Sequence, residues 1–285
     1  MYILVSGATG QLGYEVCREL AERGIKTMGF GSKDCDICSL EAVEQLFDRE
    51  KPDVLIHCAA YTGVDKAEED AERCWRVNAE GTGNLALACR KQGVKMLYVS
   101  TDYVFPGRGE DYYEPEDGCL PLGNYGRSKR AGELAVQMFL EKYFIVRTSW
   151  VFGRHGSNFV KTMLRLAGTQ DTLRVVDDQT GGPTYAPDLA SLLCDMAETE
   201  KYGIYHAANQ GVCSWAEFAR EIFRLAGKQV KVEPVTTAQY GAAAPRPMNS
   251  RLSPKKLVEN GFRPLPPWQD ALERYLKDTE CEQLL

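Results

Sequence analysis

Tyr125 and Lys129 stand four residues apart in the stretch Tyr-Gly-Arg-Ser-Lys. On a helix that spacing places both side chains on one face, with the ammonium close to the phenol. A free phenol titrates near ~10 and donates its proton poorly at neutral pH, whereas a nearby cation stabilises phenolate and lowers that value. The pair therefore reads as a general acid. The same spacing also describes an aromatic edge beside a solvated charge, so its meaning rests on what precedes it. Upstream stand Ser100, Thr101 and Asp102, two hydroxyls and a carboxylate where the apolar run from Lys95 ends.

Positioning these groups requires strands and helices, and the first half of the chain supplies them in alternation. Tyr2-Ile3-Leu4-Val5 reads as a strand, followed by a glycine turn and a helical pattern through Val16, Leu20 and Ala21. Gly7, Gly10 and Gly13 have the spacing that lets backbone approach a pyrophosphate at a helix N-terminus, where free N–H groups and the dipole favour anions. With Thr9, Gln11 and Leu12 they form the first set of candidate dinucleotide-binding residues, because the turn directly follows a strand.

The second strand, Ile25 to Phe30, ends in Gly31-Ser32-Lys33 with no carboxylate from Gly29 to Lys33. A hydroxyl and an ammonium there suit a 2′-phosphate, which favours NADPH over NADH; Lys33 as a solvated loop charge is the alternative. Asp36 and Ile37, further cofactor-side candidates, precede Ser39, the expected N-cap of a helix to about Asp48. Val54 to Ala60 reads as a buried parallel strand, and its small end, Ala59-Ala60 followed by Tyr61, suits the adenosine side of a dinucleotide. His57 lies inside that run and reads as a core residue. Helices over 66–77 and 81–91 and a fourth strand from Lys95 complete the pattern of an α/β, Rossmann-type doubly wound parallel sheet.

The 285 residues suffice for a full core, and 44% hydrophobic with 26% charged residues is ordinary globular composition. A net charge of -6 argues against a general nucleic-acid partner. No signal-peptide pattern and no membrane-length apolar run is present, so the expectation is a cytoplasmic protein with no membrane partner. The ten cysteines are scattered, and Cys35 and Cys38 form one CxxC without a second pair; with three histidines in the chain, reduced thiols and no metal site are expected.

A Gly-rich turn, a Thr at the end of the fourth strand, and Tyr and Lys four apart, in this order, resemble the extended short-chain dehydrogenase/reductase family. The resemblance implies a catalytic set of Thr101, Tyr125 and Lys129, with Tyr125 and Lys129 also meeting the cofactor. Within that family the branch of dTDP-4-dehydrorhamnose reductases is most similar. Its stretches resemble Gly10-Gln11-Leu12-Gly13, Ala59 to Thr62 with Val64 to Glu68, Ser100 to Phe105 and Arg147 to Trp150. Asn158-Phe159, Asp178-Gln179, Gly182-Pro183-Thr184 and Arg246 to Ser250 fit as well.

That branch implies reduction of the C4 ketone of dTDP-4-dehydro-β-L-rhamnose, with Thr101, Asp102, Trp150, Asn158 and Arg246 on the substrate side. Lys161, Arg165 and Arg251 are further candidate cations for a diphosphate. Mg2+ is implied at family level only, and the oligomeric state is left as monomer or homodimer. The alternatives are a non-catalytic NADP-binding regulatory subunit, like that of methionine adenosyltransferase, and a 4-ketoreductase of another nucleotide sugar.

The expected organisation is a dinucleotide-binding domain over residues 1–150 and a mainly substrate-binding lobe over 151–285, with elements within roughly 172–207 returning to the first. No Pro- or Ser-rich linker separates them, so a cleft between interleaved lobes is expected. Ser214-Trp215-Ala216-Glu217 reads as a capping box opening a helix to about Ala226, and Ser253-Pro254 opens another that Gly261 ends.

Overall fold

The computed structural model describes residues 1–283, with side chains described as far as Asp278. Its strands are β1 (Tyr2–Ser6), β2 (Lys26–Phe30), β3 (Val54–His57), β4 (Lys95–Thr101), β5 (Tyr143–Thr148), β6 (Val151–Phe152) and β7 (Thr172–Val176). They continue as β8 (Thr180–Gly181), β9 (Thr184–Tyr185), β10 (Gly203–His206), β11 (Cys213–Ser214), β12 (Lys231–Val235) and β13 (Asn249–Ser250). The helices are α1 (Gln11–Glu22), α2 (Leu40–Glu50), α3 (Lys66–Glu69), α4 (Ala71–Trp75), α5 (Thr82–Gln92) and α6 (Asn124–Phe139). After them come α7 (Phe159–Leu166), α8 (Ala186–Ala197), α9 (Trp215–Leu225), α10 (Thr237–Tyr240), α11 (Lys255–Glu259) and α12 (Trp268–Gln283).

Strands β1 and β3 are apolar on both faces, so each must lie inside a covered parallel sheet. They do: six parallel strands pair in the order β10-β5-β4-β3-β1-β2. Leu12, Val16 and Leu20 of α1 join Leu189 and Leu193 of α8 on one face. On the other, Val43 and Phe47 of α2, Leu85 and Cys89 of α5 and Val136 of α6 close the second layer. This is the doubly wound α/β architecture expected, with strand order turning outward at β1 and β3, where open sheets bind ligands beyond the carboxyl ends.

A second core gathers Phe152, Val160 and Met163 with Phe218, Ile222 and Phe223 of α9 and Leu272 and Tyr275 of α12. Its β-structure is short: β12 pairs with β7, β6 with β9, and β11-β8-β13 form a three-stranded patch. Within 172–207, α8 and β10 join the large sheet, whereas β7 lies with β12 in this second lobe. Leu173 and Val175 of β7 face the apolar side of α9, which explains its place. The capping box at Ser214 and Glu217 is formed, and Ser39 caps α2 through the Ala42 N–H.

The expected pair of helices over 66–77 and 81–91 is one interrupted run. α4 passes into α5 through a wider π turn over Arg76–Gly81, which turns Asn78 inward. No helix among the described residues is long and apolar enough to cross a membrane.

Candidate active site

Beyond the carboxyl ends of β1, β3 and β4 lies a cleft of about 820 Å³. One end is the glycine turn. Gly7 has φ +69°, and a Cβ there would fall 2.7 Å from the Ala59 backbone; a Cβ on Gly13 would sit 2.2 Å from the Gly7 carbonyl oxygen. Only glycines let β1, the end of β3 and α1 meet this closely. α1 has Gly10 at its N-cap, with no side-chain cap and no acidic residue in its first turn. Its first N–H groups and positive dipole end therefore face the cleft uncompensated, as an anion site requires.

Thr9, Gly10, Gln11, Leu12 and Gly13 line this end with Ser32, Asp36, Ile37, Ala59 and Ala60. Ser6 accepts from the Ala59 N–H (3.3 Å) and bonds His57 Nδ1 (2.6 Å), while Thr82 meets the other ring nitrogen (3.1 Å). Burial pulls His57 down to about 3, a neutral core histidine as expected. Lys33 is exposed and outside the lining. Asp34 folds back so that its carboxylate accepts from the Gly31 N–H (2.8 Å), a contact that the run from Gly29 to Lys33 does not reveal.

The other end gathers the hydroxyl, phenol and ammonium. Thr101, Asp102, Tyr125 and Lys129 all line the cleft, brought together by the end of β4 and the first turns of α6. Thr101 donates to Asp102 Oδ1 (2.9 Å) and accepts from the Tyr103 N–H (3.2 Å). Burial pushes the Tyr125 phenol up, against a smaller opposing pull from a hydrogen bond with Thr101. Burial also draws the Lys129 ammonium down to about 7, with the Glu133 carboxylate opposing.

The expected lowering of the phenol by Lys129 is therefore not what the structure shows. The Lys129 ammonium donates to the Val99 carbonyl (2.8 Å) and lies over the Tyr98 ring (4.1 Å), so desolvation dominates both groups. Behind them Arg147, 1% exposed, grips Glu133 through two nitrogens (2.8 and 2.9 Å). That pair ties the middle of α6 to β5.

Four expected site residues lie outside the lining. Tyr61 is tied through its backbone to Asn78, at 2.8 and 3.1 Å. Asn158 caps α7 by accepting from the Lys161 N–H (3.0 Å), and its amide donates to Gln11 Oε1 (3.0 Å) and the Gly153 carbonyl (2.7 Å). A capping side chain with all these bonds holds Gln11 rather than facing the cleft. Arg246 forms a two-nitrogen ion pair with Asp65 (2.7 and 3.0 Å) beside Tyr103, and Lys33 is the fourth. Of the other cation candidates, Lys161 donates to the Gly156 carbonyl (3.0 Å) and Arg251 to Asn249 Oδ1 (3.0 Å), and neither lines the cleft.

Trp150 lines the cleft and adopts φ 47°, a left-handed backbone costly for a bulky residue. It is held there by Trp215, stacked on it at 3.6 Å between ring centroids, and by Gly181, whose missing side chain leaves room for the indole. Sequence reasoning took Trp215 only as part of a capping box, and it missed Asn78, whose amide donates to Ser128 (3.1 Å) next to Lys129. The π turn that presents Asn78 has no periodicity signal in the sequence. Among the described residues no group of three or more His, Cys, Asp or Glu is placed to hold a metal ion.

Comparison with known proteins agrees with this layout. The family described as RmlD substrate binding domain matches residues 1–281. The spore coat polysaccharide biosynthesis protein SpsK of Bacillus subtilis is 41% identical over 276 residues, 97% of each chain. The dTDP-4-dehydrorhamnose reductase of Aggregatibacter actinomycetemcomitans is 42% identical over 285 residues, covering 95% of this chain and 97% of that protein. The crystal structure of the dTDP-4-dehydrorhamnose reductase from Bacillus anthracis in complex with NADP superposes with a TM-score of 0.95 at 42% identity, over 97% of this chain and 99% of that one. The chain belongs to the RmlD family, that of the dTDP-4-dehydrorhamnose reductases.

Proposed function

We propose that the chain reduces the C4 ketone of dTDP-4-dehydro-β-L-rhamnose to give dTDP-β-L-rhamnose, using NADPH. One observation carries this reading: a single cleft has an uncapped helix N-terminus at one end and Thr101, Tyr125 and Lys129 together at the other. The Gly7 and Gly13 contacts, which any side chain would break, fit a dinucleotide pyrophosphate. NADPH supplies the hydride when bound. Ser32 in the lining and the NADP-bound relative support NADPH, with NADH the alternative; Lys33 is a candidate for the 2′-phosphate.

Burial makes Tyr125 a weaker acid but keeps its proton in place at neutral pH, and the oxygen that becomes negative as the ketone is reduced is basic enough to take it. The charge that develops on that oxygen exists only in the transition state, where a preorganised donor contributes most. Phenolate is left behind, and Lys129 in its protonated form compensates that charge; burial draws it down to about 7, and a phenolate beside it favours the charged form. Trp150 and Trp215 form the apolar wall against which a sugar ring packs. Arg246 at the rim is a diphosphate partner once it exchanges Asp65 for the substrate.

The named relatives favour a reductase over the regulatory-subunit reading. Turnover of NADPH with 4-keto sugars carried on dTDP, UDP and GDP tests the proposal. Preference for the dTDP sugar is expected. Equal turnover on all three would leave a general 4-ketoreductase, and none on any would refute the reading.

A further inference from the structure

Ser250 brings a hydroxyl from the second lobe to Asp102, the carboxylate next to Thr101. It lies in β13, a two-residue strand paired in parallel with β8, and is 2% exposed. Its hydroxyl donates to Asp102 Oδ2 while Thr101 donates to Oδ1, so both carboxylate oxygens are engaged. The resemblance places Asp102 against the sugar, but here its oxygens are turned to Ser250 and Thr101. Asp102 thus draws the only proton of the Thr101 hydroxyl. That proton is contested: the hydrogen bond with Thr101 that opposes the upward push of burial on Tyr125 is one in which Thr101 donates to the phenol oxygen, so Asp102 and Tyr125 draw on the same hydroxyl proton.

We infer that Ser250 is a positioning residue that holds Asp102 as the acceptor of the Thr101 hydroxyl, and so couples the placement of the second lobe to proton donation by Tyr125. The inference rests on the proposed reductase reading. A second set of contacts makes the coupling mechanical. A Cβ built on Gly181 would lie 3.0 Å from the Ser250 Cβ and 2.8 Å from the Trp150 indole, so β13, β8 and the tryptophan wall are packed directly on one another. The neighbouring Asn249 anchors that block to the loop after β4, donating to the Asp111 carbonyl (2.8 Å) and, through its N–H, to that of Gly107 (3.0 Å). A sugar seated on Trp150 therefore meets a catalytic end already aligned by Ser250. The titratable groups beside Asp102 are the phenols of Tyr103 and Tyr125, which burial keeps neutral, with Arg246 facing Tyr103.

Carboxyl 13C titration of the protein labelled at aspartate tests this without turnover, with Asp102→Asn assigning the resonance. Ser250→Ala removes a donor to the charged form, so the Asp102 midpoint is expected to rise by about one pH unit. Ser250→Thr, which keeps the hydroxyl, is expected to retain the parent midpoint. In turnover with NADPH and the ketosugar, Ser250→Ala is expected to lower kcat about tenfold near neutral pH with KM within about twofold, and to move the acidic limb upward by the same interval. An unmoved Asp102 midpoint in Ser250→Ala, or an activity loss equal at every pH, overturns the inference. A shifted midpoint in a protein that turns over no ketosugar would support the Ser250–Asp102 coupling while refuting the functional reading.

Discussion

The two ends of the cleft are built in opposite ways. The dinucleotide end is built around contiguous sequence: β1, the turn from Gly7 to Gly13 and α1 follow one another, and distant residues such as Ala59 and Asn158 close on that unit. The end proposed to take the sugar is assembled from distant pieces. Trp150, Gly181, Trp215 and Ser250 come from four separate stretches joined by strands of two residues and by side-chain contacts. The first design fixes a backbone shape that a phosphate group recognises. The second fixes side-chain positions whose accuracy depends on the whole second lobe, which suits a site that must distinguish one sugar from another.

Four substitutions probe that contrast. Tyr125→Phe, at the end of the cleft opposite the glycine turn, is expected to lower kcat by about 10²–10⁴ while NADPH affinity, read by fluorescence titration, stays within about twofold. A loss of affinity comparable to the loss of kcat would mean that Tyr125 serves the dinucleotide end instead. Gly13→Ala should act on that end alone: its Cβ would fall 2.2 Å from the Gly7 oxygen, and overpacking of ~1–3 kcal/mol corresponds to NADPH binding weakened about 5- to 150-fold. Unchanged binding would show that the turn is not the phosphate site.

Trp215→Ala removes the support of Trp150 and is expected to raise KM for the sugar about five- to tenfold with NADPH affinity unaltered. An effect on both ligands would break the division between the ends. The smallest effect concerns pH. Burial raises Asp102 from its ordinary 3.8 to about 6, so between those values the folded protein binds a proton that the unfolded chain does not. That contribution favours the fold at acid pH and is lost as pH rises through the window. The Tm of Asp102→Asn relative to the parent should therefore be higher at about pH 8 than at about pH 5, by a few degrees. A pH-independent difference would mean that Asp102 is ionised throughout.

The same contrast governs what could be read from the sequence. The sheet, the glycine turn and the Ser39 and Ser214 caps rest on periodicity and short-range spacing, and all are present. The gathering of Thr101, Tyr125 and Lys129 was legible through spacing and order, but their electrostatics were not. Helical spacing suggests an ammonium beside the phenol, whereas the fold buries both and turns Lys129 to the Val99 carbonyl. Asn158 and Arg246 carry polar groups that suit a substrate, yet a cap and an ion pair occupy them, and neither partner can be deduced from sequence alone. Trp215, Asn78 and Ser250 escaped because their roles arise from contacts across 50 or more positions.

Transfer of deuterium tests the central claim most directly. With NADPH deuterated at nicotinamide C4 on the transferred face and dTDP-4-dehydro-β-L-rhamnose as substrate, the product is expected to carry one deuterium at sugar C4, seen by NMR, and Tyr125→Phe should slow its formation by the same factor of about 10²–10⁴. Oxidation of the cofactor with no deuterium at that carbon, or with the label at another, would contradict the account.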